Sequence, residues 1–129
     1  MDDSTRETMA ADPFIGFLGI AVEGAEAGYA RCSITITKDM LNFHGVVHGG
    51  LLFSLADVAF SIAANCDHFP SYALDVSGSF LKTAHVGDVI TAEAQVIHTT
   101  RRTGLYRMEV RTGQELMATF NGTVFRKRE

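Results

Sequence analysis

The chain has 129 residues, 47% of them hydrophobic and 20% charged, and carries a net charge of −4. That length suits one domain whose core needs neither disulfide nor metal to hold it. The negative balance speaks against nucleic acid as a partner. The only cysteines, Cys32 and Cys66, form no CxxC and no disulfide framework, which fits a reducing compartment.

Residues 1–11 read as a polar, flexible tail ahead of a single domain over 12–129. The tail is acidic where a signal peptide would be basic, so a cytoplasmic protein is expected. Asp12-Pro13 reads as an N-cap with proline at the first helical position, opening a short helix through Phe14, Phe17 and Leu18 that stops at Gly19. A weak strand around Ile20 and Val22 precedes a clear one. There Ala30, Cys32, Ile34 and Ile36 face one way and Arg31, Ser33, Thr35 and Thr37 the other.

A long helix is expected from about His48 to Cys66. It places Ser54, Asp57, Ser61 and Asn65 in one narrow polar stripe, with Leu51, Leu52, Phe53, Leu55, Val58, Phe60 and Ile62 around the rest. It is too short and too interrupted to span a membrane. A helix so apolar must be enclosed on most sides. A single sheet covers one side, so a long loop or a partner subunit is expected over the rest.

Beyond the helix the period of two returns four times. Leu74, Val76, Gly78 and Phe80 share a face, as do Ile90, Ala92, Ala94 and Val96, then Tyr106, Met108 and Val110, and last Leu116, Ala118, Phe120 and Val124. Turn signals at His85–Asp88, Arg102–Gly104 and Thr112–Gln114 separate these strands. About six strands and one long helix with no βαβ rhythm predict an α+β domain, an antiparallel sheet with a helix on one face.

The chemistry concentrates in one segment. Asp57 lies eight residues beyond Gly49, inside an otherwise apolar helix. A carboxylate there is costly unless solvated or paired. The residues before it build a helix N-terminus, whose unpaired N–H groups suit an anion or oxyanion. An acid and an oxyanion donor in one short motif point to acyl transfer.

Asn42-x-His44-Gly45-x-x-His48-Gly49-Gly50, five residues, then Ala56-Asp57, resembles the phenylacetate-pathway (PaaI-type) hotdog acyl-CoA thioesterases. The resemblance runs from about Phe14 to Lys127 and includes the Phe80-Leu81 segment and the closing Gly122–Phe125 strand. It implies a hotdog fold, an antiparallel sheet of five to six strands wrapped around one long helix. It also implies a homodimer or a homotetramer built as a dimer of dimers, with active sites at the dimer interface.

By resemblance, Asp57 is the catalytic general base or nucleophile, and the Gly49 N–H of the other subunit polarises the thioester carbonyl. Asn42 positions the carbonyl or the water, and His48 orients the loop or substrate. Gly50 and the Arg101-Arg102-Thr103-Gly104 segment contact substrate, the arginines near the coenzyme A phosphates. Lys82 and Arg126-Lys127-Arg128 are weaker phosphate candidates. Some relatives hold the attacking water with a serine or threonine where an ungapped reading here gives Ala73. Ser71, Asp75 or Ser77 are the possible substitutes.

Plainer alternatives stand beside each assignment. Asp57 as a solvated stripe residue, Asn42 as a turn residue, His48 as a structural residue and Arg101-Arg102 as a solvated hairpin tip are all open. His44 and His48 are four apart, but no Glu follows in HExxH register, so no metal is expected. No GxSxG elbow is present.

The function expected is hydrolysis of an aryl- or phenylacetyl-type CoA thioester, with CoA as substrate and no cofactor. The alternatives are a hydrolase of medium-chain or fatty acyl-CoA or acyl-carrier-protein thioesters, and a non-catalytic acyl-CoA-binding domain. A dehydratase ranks lower, because the histidine precedes the helix rather than lying on it. Asp57 favours catalysis, since binding alone needs no base.

Overall fold

The computed structural model describes residues 7, 9, 11–67 and 69–127. Most of the tail expected over 1–11, and Arg128, lie outside the described residues. Helix α1 covers Pro13–Leu18 and α2 covers Gly49–Ala64; the strands are β1 (Ala21–Glu26), β2 (Tyr29–Thr35), β3 (Ser71–Phe80), β4 (Val89–Thr99), β5 (Thr103–Thr112) and β6 (Glu115–Arg126). All six form one antiparallel sheet in the order β1-β2-β4-β5-β6-β3.

Helix α1 forms as its punctuation predicts. Asp12 Oδ1 accepts from the N–H groups of Phe14 and Ile15. Gly19 ends the helix at φ 76°, a conformation that a Cβ would strain.

Helix α2 touches every strand of the sheet. Six strands about 4.8 Å apart are far wider than a helix about 10 Å in diameter, so the sheet must bend around it. That bend buries ten α2 residues within one chain, from Leu51 to Ala64. The curved sheet thus supplies most of the enclosure expected from a loop or a partner. Among the described residues no helix is long and apolar enough to cross a membrane.

The inward faces of β2, β4 and β5 follow the predicted alternation, and Ala30, Cys32, Ile90, Ala92, Ala94, Tyr106, Met108 and Val110 form the core with α2. β3 departs from it. This edge strand is exposed on both faces, with Tyr72 57%, Leu74 61% and Phe80 55% accessible. A bulge leaves Leu74 without a partner between the Ala73–Val124 and Asp75–Thr123 pairs. The bulge breaks the alternation at Leu74 and puts Ala73 in phase with Val76, Gly78 and Phe80, and of these only Val76 is partly buried against the core.

Candidate active site

The site begins at the entry to α2. His48 is the N-cap, and its Nδ1 accepts the Gly50 N–H at 2.8 Å. Its ring proton therefore sits on Nε2. The His48 carbonyl accepts from the N–H of Leu51 at 2.9 Å and of Leu52 at 3.4 Å, and its own N–H donates to the Met40 carbonyl. The Gly49 N–H is left as the one first-turn donor with no acceptor among the described residues. An orphan N–H at the positive end of a helix dipole is a place for developing negative charge.

The two glycines have local reasons. A Cβ at Gly50 would stand 3.0 Å from His48 Nδ1 and spoil the cap. A Cβ at Gly49 would meet the Phe80 ring at 3.3 Å, so glycine lets that ring approach the free N–H closely. Phe80 packs edge to face on Phe120, and so does Phe53 from the first turn of α2. Sequence reasoning misses this cluster, because nothing local says that the end of β3 returns to the start of α2.

Asn42 is tied into its own loop. Its Oδ1 accepts from the N–H of His44 at 2.9 Å and of Val46 at 3.4 Å, and its carbonyl accepts from Gly45, which sits at φ 80°. This is an Asx turn. The turn uses the carbonyl half of the side chain and leaves the Nδ2 donors for another acceptor.

Asp57 differs from its neighbours on the polar stripe. Ser54 Oγ donates to the Gly50 carbonyl, Ser61 Oγ to the Val58 carbonyl, and Asn65 Nδ2 to the carbonyls of Ser61 and Ser71. The Asp57 carboxylate is half-buried and has no hydrogen bond or ion pair among the described residues. Desolvation raises its pKa above the ordinary 3.8. A carboxylate that the fold neither pairs nor releases to water is costly to keep. Its proton affinity is shifted in the direction that suits a base near neutral pH.

Other nucleophiles are less suited. Burial pushes the Cys32 thiol up to about 12, which keeps it protonated. Ser71, one candidate for holding the water, is locked against the end of α2: its N–H donates to Asn65 Oδ1 and its hydroxyl to the Phe69 carbonyl. Ala73, Asp75 and Ser77 lie on the exposed strand β3.

The basic hairpin lies elsewhere. Thr100 and Thr103 close the β4–β5 turn, with Thr100 Oγ1 accepting from the N–H groups of Arg102 and Thr103. The Arg102 carbonyl accepts from the Arg126 N–H, and the Arg126 guanidinium pairs with Asp67, just beyond the C-terminus of α2. Arg101 and Arg102 therefore sit at the end of α2 opposite Gly49, a helix of 16 residues or about 24 Å away. Gly104 lies inside β5 rather than in the turn. It is buried, and a Cβ there would stand 3.1 Å from both Tyr106 and Val124.

One spacing organises the rest. Asn42, His48, Gly49 and Gly50 cluster at the helix entry, while Asp57 lies eight residues on, about 12 Å along the axis. A base and an oxyanion donor for one carbonyl must both come within about 3 Å of the reacting group. Within one chain the two lie about 12 Å apart along the axis, well beyond that reach.

Comparisons with known proteins identify the family. The acyl-coenzyme A thioesterase PaaI of Escherichia coli is 42% identical over 106 residues, covering 81% of this chain and 76% of that protein. The solved structure of the E. coli PaaI protein superposes with a TM-score of 0.92 at 36% identity, covering 95% of this chain and 90% of that one. A mutant of the phenylacetic acid degradation protein PaaI of Thermus thermophilus gives a TM-score of 0.87 at 38% identity, over 90% of this chain and all 100% of that one. Residues 44–119, which hold the whole helix-entry cluster from His48 on as well as Asp57, match the thioesterase superfamily, and the chain belongs to that family.

Proposed function

We propose that this thioester hydrolase cleaves aryl- or phenylacetyl-type CoA thioesters to free acid and CoA, in a site shared between two copies of the chain. One observation carries the reading: an unpaired, half-buried Asp57 and an unpaired Gly49 N–H lie on one helix about 12 Å apart. An isologous dimer pairs each surface with its own copy, so residue 49 of one chain can meet residue 57 of the other. The exposed edge of β3 leaves room for such a contact.

In this site the Gly49 N–H of one copy holds the thioester oxygen. Asp57 of the other takes a proton from water as the water oxygen bonds to the carbonyl carbon. The tetrahedral oxyanion stays on the Gly49 donor, which contributes on the order of 3 kcal/mol. Its collapse breaks the C–S bond, releases the acid, and sends the electron pair to the CoA sulfur, which leaves as thiolate and is protonated. In the alternative course Asp57 attacks the carbonyl itself, expels the thiolate, and water then cleaves the mixed anhydride. Single turnover in 18O water tests the second course, since solvent label in Asp57 arises only when water attacks the Asp57 carbonyl carbon of the anhydride.

In this reading Asn42 Nδ2, which the turn leaves unused, steadies the carbonyl or the water. Arg101 and Arg102 suit the CoA phosphates, which reach away from the scissile bond. Neither route uses a metal or a resident cofactor, and CoA enters as part of the substrate. Dimers pair again as a tetramer in this reading. The cytoplasm is the fitting compartment, as Cys32 and Cys66 form no disulfide.

The test is thiol release from a panel of phenylacetyl-, benzoyl-, hexanoyl- and palmitoyl-CoA and an acyl-carrier-protein ester. The aromatic CoA esters should have the highest kcat/KM. Failure to cleave any of them would sink the proposal, and a clear preference for long acyl chains would replace its substrate class.

A further inference from the structure

We infer that Phe80, with Phe53 and the buried Phe120 behind them, forms a wall that recognises the ring of an aromatic acyl group. This rests on the acyl-CoA reading above and names what selects the substrate.

The argument is positional. Phe80 Cε1 and Cζ stand 3.3 and 3.4 Å from where a Cβ on Gly49 would be. The rim of the ring is therefore within about 6 Å of the Gly49 nitrogen. A carbonyl oxygen hydrogen-bonded to that nitrogen at about 2.9 Å holds its acyl carbon about 4 Å from it. A phenyl group one or two bonds further on and turned toward Phe80 comes within the roughly 4.5–7 Å centroid range of aromatic pairs.

The cluster is also built for a ring. Phe53 and Phe80 meet Phe120 at 5.7 and 5.6 Å, with interplanar angles of 90° and 79°. Phe120 is fixed in the core, yet Phe53 and Phe80 remain 38% and 55% accessible. Two rings held upright on a third, each with a free surface, offer edge-to-face contacts to a further ring. A saturated ring of equal size gains the buried area but not the quadrupole contact.

The experiment compares phenylacetyl-CoA with cyclohexylacetyl-CoA, which differ in aromaticity and little in size. The wild type should favour the aromatic ester. Phe80→Leu and Phe53→Leu keep an apolar side chain and should each lower the ratio of the two kcat/KM values about two- to tenfold. Phe17→Leu removes an exposed ring on α1 and should leave the ratio where it was. An equal ratio in wild type and both cluster variants overturns the inference, as does an equal drop with Phe17→Leu. If the substitutions split the dimer while the ratio holds in the assembled fraction, the cluster is a subunit contact and the inference fails. A wild type that cleaves neither ester refutes the acyl-CoA reading itself, a result distinct from a flat ratio.

Discussion

Two inactive versions of this chain should repair each other. In the proposed shared site, Gly49→Pro removes the N–H assigned to the oxyanion. Proline is well tolerated at the first helical position. His48 already has ψ 135°, the extended conformation that a residue before proline requires. The three atoms nearest to a Cβ there all belong to Phe80, which is exposed enough to shift. Losing one oxyanion donor should lower kcat about 10²–10³-fold. Asp57→Asn keeps the shape of the side chain but cannot accept a proton, and should lower kcat about 10²–10⁴-fold.

Co-expressed in equal amounts, the two variants assort at random. On the shared-site proposal, each site needs an intact Gly49 from one copy and an intact Asp57 from the other. About one quarter of sites meet both conditions, in a dimer or a tetramer alike. Thiol release from the mixture should therefore approach a quarter of wild-type turnover, while each parent alone stays near or below about 1%. A mixture no more active than the average of its parents would refute the shared site, and the 12 Å argument with it.

Three further outcomes are expected. The raised pKa of Asp57 means that the folded state binds this proton more tightly than the unfolded one, so its stabilising effect is present at low pH and is lost as pH rises through the raised value. Asp57→Asn should thus gain stability relative to wild type between acid and neutral pH, and urea melts showing a constant difference across that range would contradict the desolvation. Replacing Arg101 and Arg102 together with alanine should raise KM much more than it lowers kcat, because contacts far from the reacting atoms serve substrate and transition state alike; steady-state kinetics showing a collapse of kcat at level KM would give the pair another role. Gly122→Ala places a Cβ 2.7 Å from the Phe60 ring in the core, and such overpacking should cost about 1–3 kcal/mol, read as a lowered thermal midpoint.

Much of the fold is legible wherever a local rule decides it. Asp12-Pro13 and Gly19 bound α1 because caps act over a few residues. The polar stripe of α2 and the inward faces of β2, β4 and β5 follow from period alone. β3 reads as half-buried and is not, since alternation says that a strand has two faces and not what lies over them. Met117 is an extra residue at a bulge in β6, and its full burial beside Ala118 breaks the alternation read there. In the candidate site, the motif singles out Asp57 and Gly49, but that His48 caps the Gly50 N–H and not that of Gly49 depends on a side-chain rotamer that no spacing reports. Gly104 reads as a turn residue because Arg102 and Thr103 precede it. Its true constraint is the crowding of Tyr106 and Val124, two residues on and in the neighbouring strand.

In the proposed site the donor and the acid share α2, so the helix acts as a ruler. Inserting or deleting one residue between Gly50 and Asp57 would turn the carboxylate about 100° around the axis and shift it about 1.5 Å along it. That turn would put Asp57, together with Ser61 and Asn65, out of register with Gly49 at the helix entry, so that either the entry or this polar stripe is driven toward the core. Loops such as Ala27–Gly28 or Arg101–Arg102 can change length without touching this measure. Natural variation in this scaffold is therefore expected to be free in turn length and in the residues facing the acyl group, and rigid in the count of residues from Gly49 to Asp57.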